Sequence, residues 1–429
     1  MKVLVLTADA NTLVYHRGDL IRAFARAGCQ VVTSAAEDYP HVRAYVEAAG
    51  GRHEPIRMVR SRVNPAKDWI TWLDMFRLFR KERPDALFAY TIKSVVYGCV
   101  VARLAGVPRV YALLPGLGFT FVKPETLKQA LVQWISKALH RMALRRADVI
   151  FMQNRDDVRL FEELRLLPAG VPVHVTAGSG VNLEEYPHRP MENDAALAEG
   201  RVRFVLVSRL LISKGVRVFA EAARRVRARF PQAEFHLVGP FDPNPNRVGE
   251  AEVSQWVAEG TLTHHGMVRD VAALLETMHI FCLPTWYREG VPHATLEALA
   301  TGRPVITTDS VGARECVRGA GPDCWGENGC LVPVRDVDAV VRAMERLLEN
   351  PAHIPRMGRA SRRLAAEVFD VNLVNDIILR AMGLPASSVG VQLSGCETLP
   401  DRLKPELQHQ ETTATQTPAT TPCRVAAGA

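Results

Sequence analysis

The sequence has little cysteine: eight residues among 429, with neither CxxC nor zinc-finger spacing. That excludes a disulfide-stapled secreted scaffold and a structural zinc module. Cys29, Cys99 and Cys282 sit in apolar surroundings and read as buried thiols, and Cys316, Cys324 and Cys330 read as reduced. No apolar run reaches the roughly 18 residues of a membrane span. The apolar stretch within Met1–Thr7 is too short for a leader core, so a cytoplasmic location is expected. No GxGxxG follows the first strand, which argues against a nicotinamide dehydrogenase. With 48% hydrophobic and 23% charged residues, the chain is not wholly disordered, collagen-like or coiled-coil.

The net charge of +7 is unevenly spread. Residues 1–180 hold 26 Lys and Arg against 16 Asp and Glu, an excess of ten; the remainder holds 27 against 30. A basic first half suits an anionic partner, either a membrane surface or a nucleic acid. No recognised nucleic-acid motif is present, so nucleic acid is the poorer fit.

The first half alternates β-rich runs (3–7, 30–35, 85–90, 109–114, 148–153) with helical segments (17–27, 67–82, 95–105). The pattern restarts after residue 200, with runs at 203–207, 234–238, 279–283 and 304–308 and a helix at 216–229. This is βαβ organisation twice over, an α/β fold of two doubly wound domains facing across a cleft. The expected boundaries are 1–182, a hinge at 183–200, a second domain at 201–365, and a helix at 366–383 returning to the first domain. A Thr- and Pro-rich tail over 384–429 cannot bury a core. Ligands of such sheets bind at the carboxyl ends of strands, which points to the cleft.

Two segments carry the chemistry. In the run Tyr287–Ala300, which follows a strand, Gly290 permits a close turn and Pro292 suits a helix start. Amides there would face an anion. Glu289 on the loop and Glu297 along the helix would face one ligand, and two carboxylates beside a phosphate suit sugar hydroxyls. Two acids on a solvated helix is the plainer alternative. The second segment, Val207–Gly215, sends Arg209 and Lys214 from a strand end onto a loop before a helix. Such a pair suits a diphosphate, although ordinary surface charge gives the same pattern.

Together these segments resemble the family-4 glycosyltransferases, retaining enzymes of the GT-B fold. The E-x7-E element matches Glu289 to Glu297, between Pro284 and Ile306. The S/G-R-L-x-x-x-K-G element matches Ser208 to Gly215, and G-V-D/N matches Gly180-Val181-Asn182. The resemblance covers about residues 1–383 and implies roles. Arg209 and Lys214 would hold the donor diphosphate, and Glu289, with them the catalytic set, would contact donor-sugar hydroxyls. The amides around Gly290 and Val291 would reach sugar and phosphate, Glu297 would bind ribose, and the loop holding Met267 and Val268 would meet the base. The string Val110–Phe119 resembles enzymes that extend undecaprenyl-diphosphate-linked sugars, nearest those adding N-acetylgalactosamine to a lipid-linked amino sugar. Arg17 and Lys93 match cations that would hold the acceptor diphosphate. Where many relatives carry a His before that Gly-x-Gly, this chain has Pro115, so no catalytic His is assigned there.

The resemblance implies a metal-independent transferase with no cofactor, a UDP-linked donor and a polyprenyl-diphosphate-linked acceptor, acting in exopolysaccharide, O-antigen or lipid-linked glycan synthesis. A soluble GT-B transferase on a small molecule or glucan, and a GT-B UDP-sugar epimerase, are the alternatives. The segment Lys123–Arg146 has an apolar and a basic face and suits an anionic membrane interface; a domain helix with its apolar face in the core is the other reading. Asp336-Val337-Asp338 looks like a metal-binding DxD, but its place before a helix favours capping. His264 and His265 are adjacent on a strand and would point opposite ways, so they would not share a metal.

Overall fold

A computed structural model of the protein describes residues 1–59, 65–116, 121 and 126–386. The expected tail, from 387 onward, and Leu117, Gly118, Phe119 and Lys123 lie outside the described residues.

The strands are β1 (Lys2–Leu6), β2 (Gln30–Ser34), β3 (Gly51–His53), β4 (Ala86–Tyr90), β5 (Arg109–Leu114), β6 (Val149–Met152) and β7 (Val173–Val175), then β8 (Arg203–Val207), β9 (Glu234–Val238), β10 (Thr263–His264), β11 (Ile280–Leu283), β12 (Val305–Thr308) and β13 (Gly329–Val332). The helices are α1 (Asn11–Tyr15), α2 (Gly18–Arg26), α3 (Pro40–Ala48), α4 (Pro65–Glu82), α5 (Ile92–Ala105), α6 (Leu127–Leu144) and α7 (Arg155–Glu163), then α8 (Ala195–Ala198), α9 (Val216–Arg229), α10 (Glu250–Ala258), α11 (Val271–Glu276), α12 (His293–Thr301), α13 (Val337–Glu349), α14 (His353–Leu364) and α15 (Val371–Ala381).

The strands form two parallel sheets, ordered β3-β2-β1-β4-β5-β6-β7 and β10-β9-β8-β11-β12-β13. The protein therefore has two Rossmann-like α/β domains. Central strands such as β4 and β11 are buried along their whole length, which explains their unbroken apolar sequences. In the first domain Val3, Val5, Phe88 and Phe151 pack on one face with α2 and α15; Leu4, Leu6, Leu87 and Val110 pack on the other with α4 and α5. Strand order reverses between β1 and β4 and again between β8 and β11, so each sheet opens a crevice at the carboxyl ends of those strands.

The chain passes between domains at two adjacent points. Val181 N–H donates to the Phe369 carbonyl at 2.7 Å, and Val371 N–H donates to the Val181 carbonyl at 3.0 Å. From there α15 runs back to the first domain, where Ile378, Leu379 and Met382 join the core. Gly180 takes φ +75 at this crossing, and a Cβ there would press on the Val371 backbone.

Candidate active site

The loop after β8 winds into a short 3-10 turn at Ile212–Lys214 and ends on Gly215 at φ +80. A side chain at Gly215 would strike the Pro284 carbonyl, so this glycine lets the loop after β8 lie against the loop after β11. The Ser213 carbonyl then accepts from Trp286 N–H at 2.9 Å and Tyr287 N–H at 3.0 Å. These bonds fix Lys214 opposite Glu289. Their side chains form an ion pair, 10% and 22% exposed, and the Lys214 ammonium lies 5.4 Å from the Tyr287 ring centroid. Arg209, on the same loop, is half-exposed and bonds Asp242 at 2.9 Å. Met267 is exposed, whereas Val268 packs against the second domain's core.

Glu289 and Glu297 do not share a partner. Glu297 lies in the second turn of α12 and accepts from the Tyr186 hydroxyl at 2.8 Å. His293 Nε2 stands 3.5 Å from the same carboxylate oxygen. Burial raises the Glu297 pKa above the ordinary carboxylate value, and burial beside Glu297 raises that of the Tyr186 hydroxyl. The first turn of α12 has no side-chain cap.

The first domain meets this wall with the turn after α1. His16 and Arg17 N–H groups both donate to the Thr12 carbonyl at 3.1 Å, which ends α1. The exposed His16 meets His293 edge-on, with ring centroids 4.9 Å apart. Arg17 is 2% exposed, its Nε and Nη1 have no hydrogen-bond partner among the described residues, and its guanidinium carbon lies 5.7 Å from the Tyr90 ring centroid. Lys93 lies on the other face of the sheet, where it bonds Asp68 and the Val59 carbonyl, both at 2.6 Å. Arg17 and Lys93 are therefore not brought together. Thr91, between β4 and α5, takes φ +71, a strained conformation for a β-branched residue at the mouth of the crevice.

His16, His293 and Tyr186 were missed as site residues from sequence. Only the adjacency of His16 to Arg17 and the presence of His293 within the Glu-rich run hinted at them. Asp336 accepts from Ala339 N–H at 2.8 Å and caps α13, while Asp338 pairs with Arg225. His264 bonds the Gly239 carbonyl and His265 bonds His236, so the two histidines serve separate contacts. Among the described residues no group of three His, Cys, Asp or Glu could hold a metal ion.

Two cations and a carboxylate at one switch point can hold an anion beside a polyhydroxylated group, and the His16–His293 contact brings the turn that carries Arg17 to the same wall. Comparison with known proteins agrees with that class. Residues 13–178 match the family described as glycosyl transferase 4-like domain, and residues 201–350 match glycosyl transferases group 1. The chain belongs to the glycosyltransferases built from these two domains, enzymes of the GT-B fold.

Among its relatives is the N,N'-diacetylbacillosaminyl-diphospho-undecaprenol alpha-1,3-N-acetylgalactosaminyltransferase of Campylobacter jejuni, 25% identical over 275 residues, 62% of this chain and 70% of that one. Another is the UDP-Gal:alpha-D-GlcNAc-diphosphoundecaprenol alpha-1,3-galactosyltransferase of Escherichia coli, 26% identical over 294 residues, 66% and 71% of the two chains. In fold the chain is similar to Anabaena HepE in complex with UDP and glucose, with a TM-score of 0.70 at 16% identity, covering 89% of this chain and 99% of that one.

Proposed function

We propose that this enzyme transfers a hexose or N-acetylhexosamine, with retention of configuration, from a UDP-linked donor to a polyprenyl-diphosphate-linked saccharide. The observation that carries the proposal is the Lys214–Glu289 ion pair at the switch point of the second domain; the buried Arg17, next in the chain to the His16 ring that meets His293, supports its acceptor part. Arg209 and Lys214 take the donor diphosphate; their charge fills the place of a metal ion, so the reading needs none. Glu289 orients the donor sugar, Gly290 and Val291 border it, Glu297 closes the ribose end, and Met267 and Val268 flank the base. Arg17 takes the acceptor diphosphate, while Lys93 stays with Asp68. The donor falls to residues 201–365 and the acceptor to residues 1–182, with 183–200 as the hinge. The two relatives named for diphosphoundecaprenol acceptors support the acceptor class.

A lipid-linked acceptor requires the enzyme at a membrane, on its cytoplasmic face, and α6 supplies a surface for it. No helix among the described residues is long and apolar enough to cross a membrane. Thr126 starts α6 with a capping box, and the exposed stripe beyond it runs through Leu127 (92% exposed), Leu131 (58%) and Trp134 (68%) towards Arg141 and Arg145. The amphipathic pattern thus divides along the helix: its early apolar residues face solvent, while Ala143 and Leu144 enter the core. Arg141 and Arg145, with Arg165, line a cavity of about 480 Å³. Cations beside exposed apolar side chains suit an interface with anionic lipid.

The test is Glu289→Ala with UDP-sugars and a short-chain polyprenyl-diphosphate-linked acceptor. Turnover should fall by orders of magnitude, since the lost contacts act on the transferring sugar. UDP affinity should hold or rise, because Lys214 is freed for the diphosphate. Wild-type turnover would remove Glu289 from the site.

A further inference from the structure

Glu289 is held from the opposite domain. Its two chain neighbours, Arg288 and Gly290, are both bonded to the amino-terminal turn of α7. The Arg288 guanidinium donates to Asp157 Oδ1 at 3.1 Å, and Asp157 is 2% exposed. The Gly290 carbonyl accepts from Asn154 Nδ2 at 3.2 Å. Asn154 and Asp157 are themselves locked together. Asn154 Nδ2 donates to Asp157 Oδ2 at 3.0 Å, and Asp157 N–H donates to Asn154 Oδ1 at 2.7 Å as the helix cap. One turn of the first domain therefore grips the chain on both sides of Glu289.

The fit leaves no room for slack. A Cβ on Gly290 would overlap Gln153 Oε1 and press on the Pro115 carbonyl. A Cβ on Gly116, at φ +137, would come within 2.9 Å of the Glu289 Cα and 2.8 Å of its carbonyl carbon. A Cβ on Gly312 would overlap the Gly290 carbonyl oxygen from the other side. The backbone at Glu289–Gly290 is thus enclosed by segments of both domains. A second ion pair between them, Arg314 to Asp156 at 3.0 Å, lies next to Asp157 in sequence.

We infer that Asn154, Asp157 and Arg288 are positioning residues that set the Glu289 carboxylate for transfer only when the two domains are closed on each other. The inference rests on the reading of Glu289 as the donor-sugar contact. It assigns the contact between domains a task beyond cohesion: the acceptor domain orients a carboxylate of the donor domain. A donor bound to an open enzyme would meet its diphosphate cations but a misplaced Glu289. Donor breakdown by water would then be suppressed until the acceptor domain docks.

The test uses Asn154→Ser, Asp157→Asn and Arg288→Lys in the full-length enzyme. Serine keeps the α7 cap but lacks the amide, so the variant removes the bond to the Gly290 carbonyl together with the one to Asp157 Oδ2. UDP affinity by calorimetry should stay within about twofold, because Arg209 and Lys214 are untouched, while kcat should fall about 10- to 100-fold, the effect of a small misplacement at a reacting centre. Arg288→Gln should lose more than Arg288→Lys, which keeps the charge. Wild-type kcat in Asn154→Ser and Asp157→Asn, with only a lowered melting temperature, would overturn the inference. Glu289→Gln, measured alongside, separates the two claims. If it is inactive while the α7 variants keep wild-type turnover, the positioning role fails and the reading of Glu289 stands; if it has full turnover, that reading fails.

Discussion

Removing a positive charge from the centre of this enzyme should make it more stable. Arg17 is 2% exposed, makes no ion pair among the described residues, and leaves Nε and Nη1 unbonded. Burial lowers its pKa from the ordinary 12.5 to about 10. A drop of that size corresponds to a penalty of about 3 kcal/mol for keeping the guanidinium charged in the folded state. The sign follows from linkage. The folded pKa lies below the unfolded one, so the unfolded chain holds the proton more tightly. The penalty is present in full below pH 10 and is relieved only as pH rises from about 10 towards 12.5. Arg17→Met removes the charge and keeps much of the volume. It also gives up the contact with the Tyr90 ring, worth about 0.5–2 kcal/mol. The variant should therefore be about 1–2.5 kcal/mol more stable at pH 7, read by urea denaturation with the wild type alongside.

The same change should weaken use of the acceptor. Losing charged hydrogen bonds to a diphosphate is worth about 1.5–3 kcal/mol, or roughly 10- to 150-fold in acceptor KM, with donor KM unchanged. A variant that is less stable and has unchanged acceptor KM would refute the reasoning. Arg17 would then be a structural cation whose burial the fold requires.

Two further outcomes are expected. Lys214→Ala should weaken UDP binding by about 1.5–3 kcal/mol in calorimetry; unchanged affinity would remove Lys214 from the diphosphate site. Replacing Trp134 with Ala and Arg145 with Glu on α6 should release the enzyme from vesicles containing anionic lipid while sparing UDP binding. The wild-type attraction should fade as salt rises, since each surface cation contributes only about 1 kcal/mol within a Debye length; equal partitioning of variant and wild type at low salt would count against an α6 membrane surface.

The βαβ repeat was legible because a strand buried on both faces must be apolar without a break, and a covering helix must be amphipathic. Strands β5, β8 and β9 fall at the residues that their sequence marks. Two edge strands, β3 and β7, were not legible. Gly51–His53 and Val173–Val175 have three residues each, so they are too short to carry a period. The cap at Asp336 was readable because it is local: the side chain bonds an amide three residues on.

The site was legible only within each domain. Lys214 and Glu289 stand out because each closes a loop with marked glycines, although nothing in the sequence shows that they pair. Contacts between domains left no such mark. His16 meets His293, and Asn154 meets the Gly290 carbonyl 136 residues away, through side chains that are unremarkable where they stand. What survives in one dimension is the space such contacts demand. Gly116, Gly290 and Gly312 each sit where a Cβ would meet a neighbouring segment, two of them at positive φ. A glycine at a strand's carboxyl end therefore carries two messages, a local turn and a close approach by a distant segment, and sequence reading hears only the first. The second decides how Glu289 is held. On the proposed division of substrates, transfer would then depend on both domains at once, because the turn of the first domain that bonds Arg288 and Gly290 grips the loop carrying Glu289.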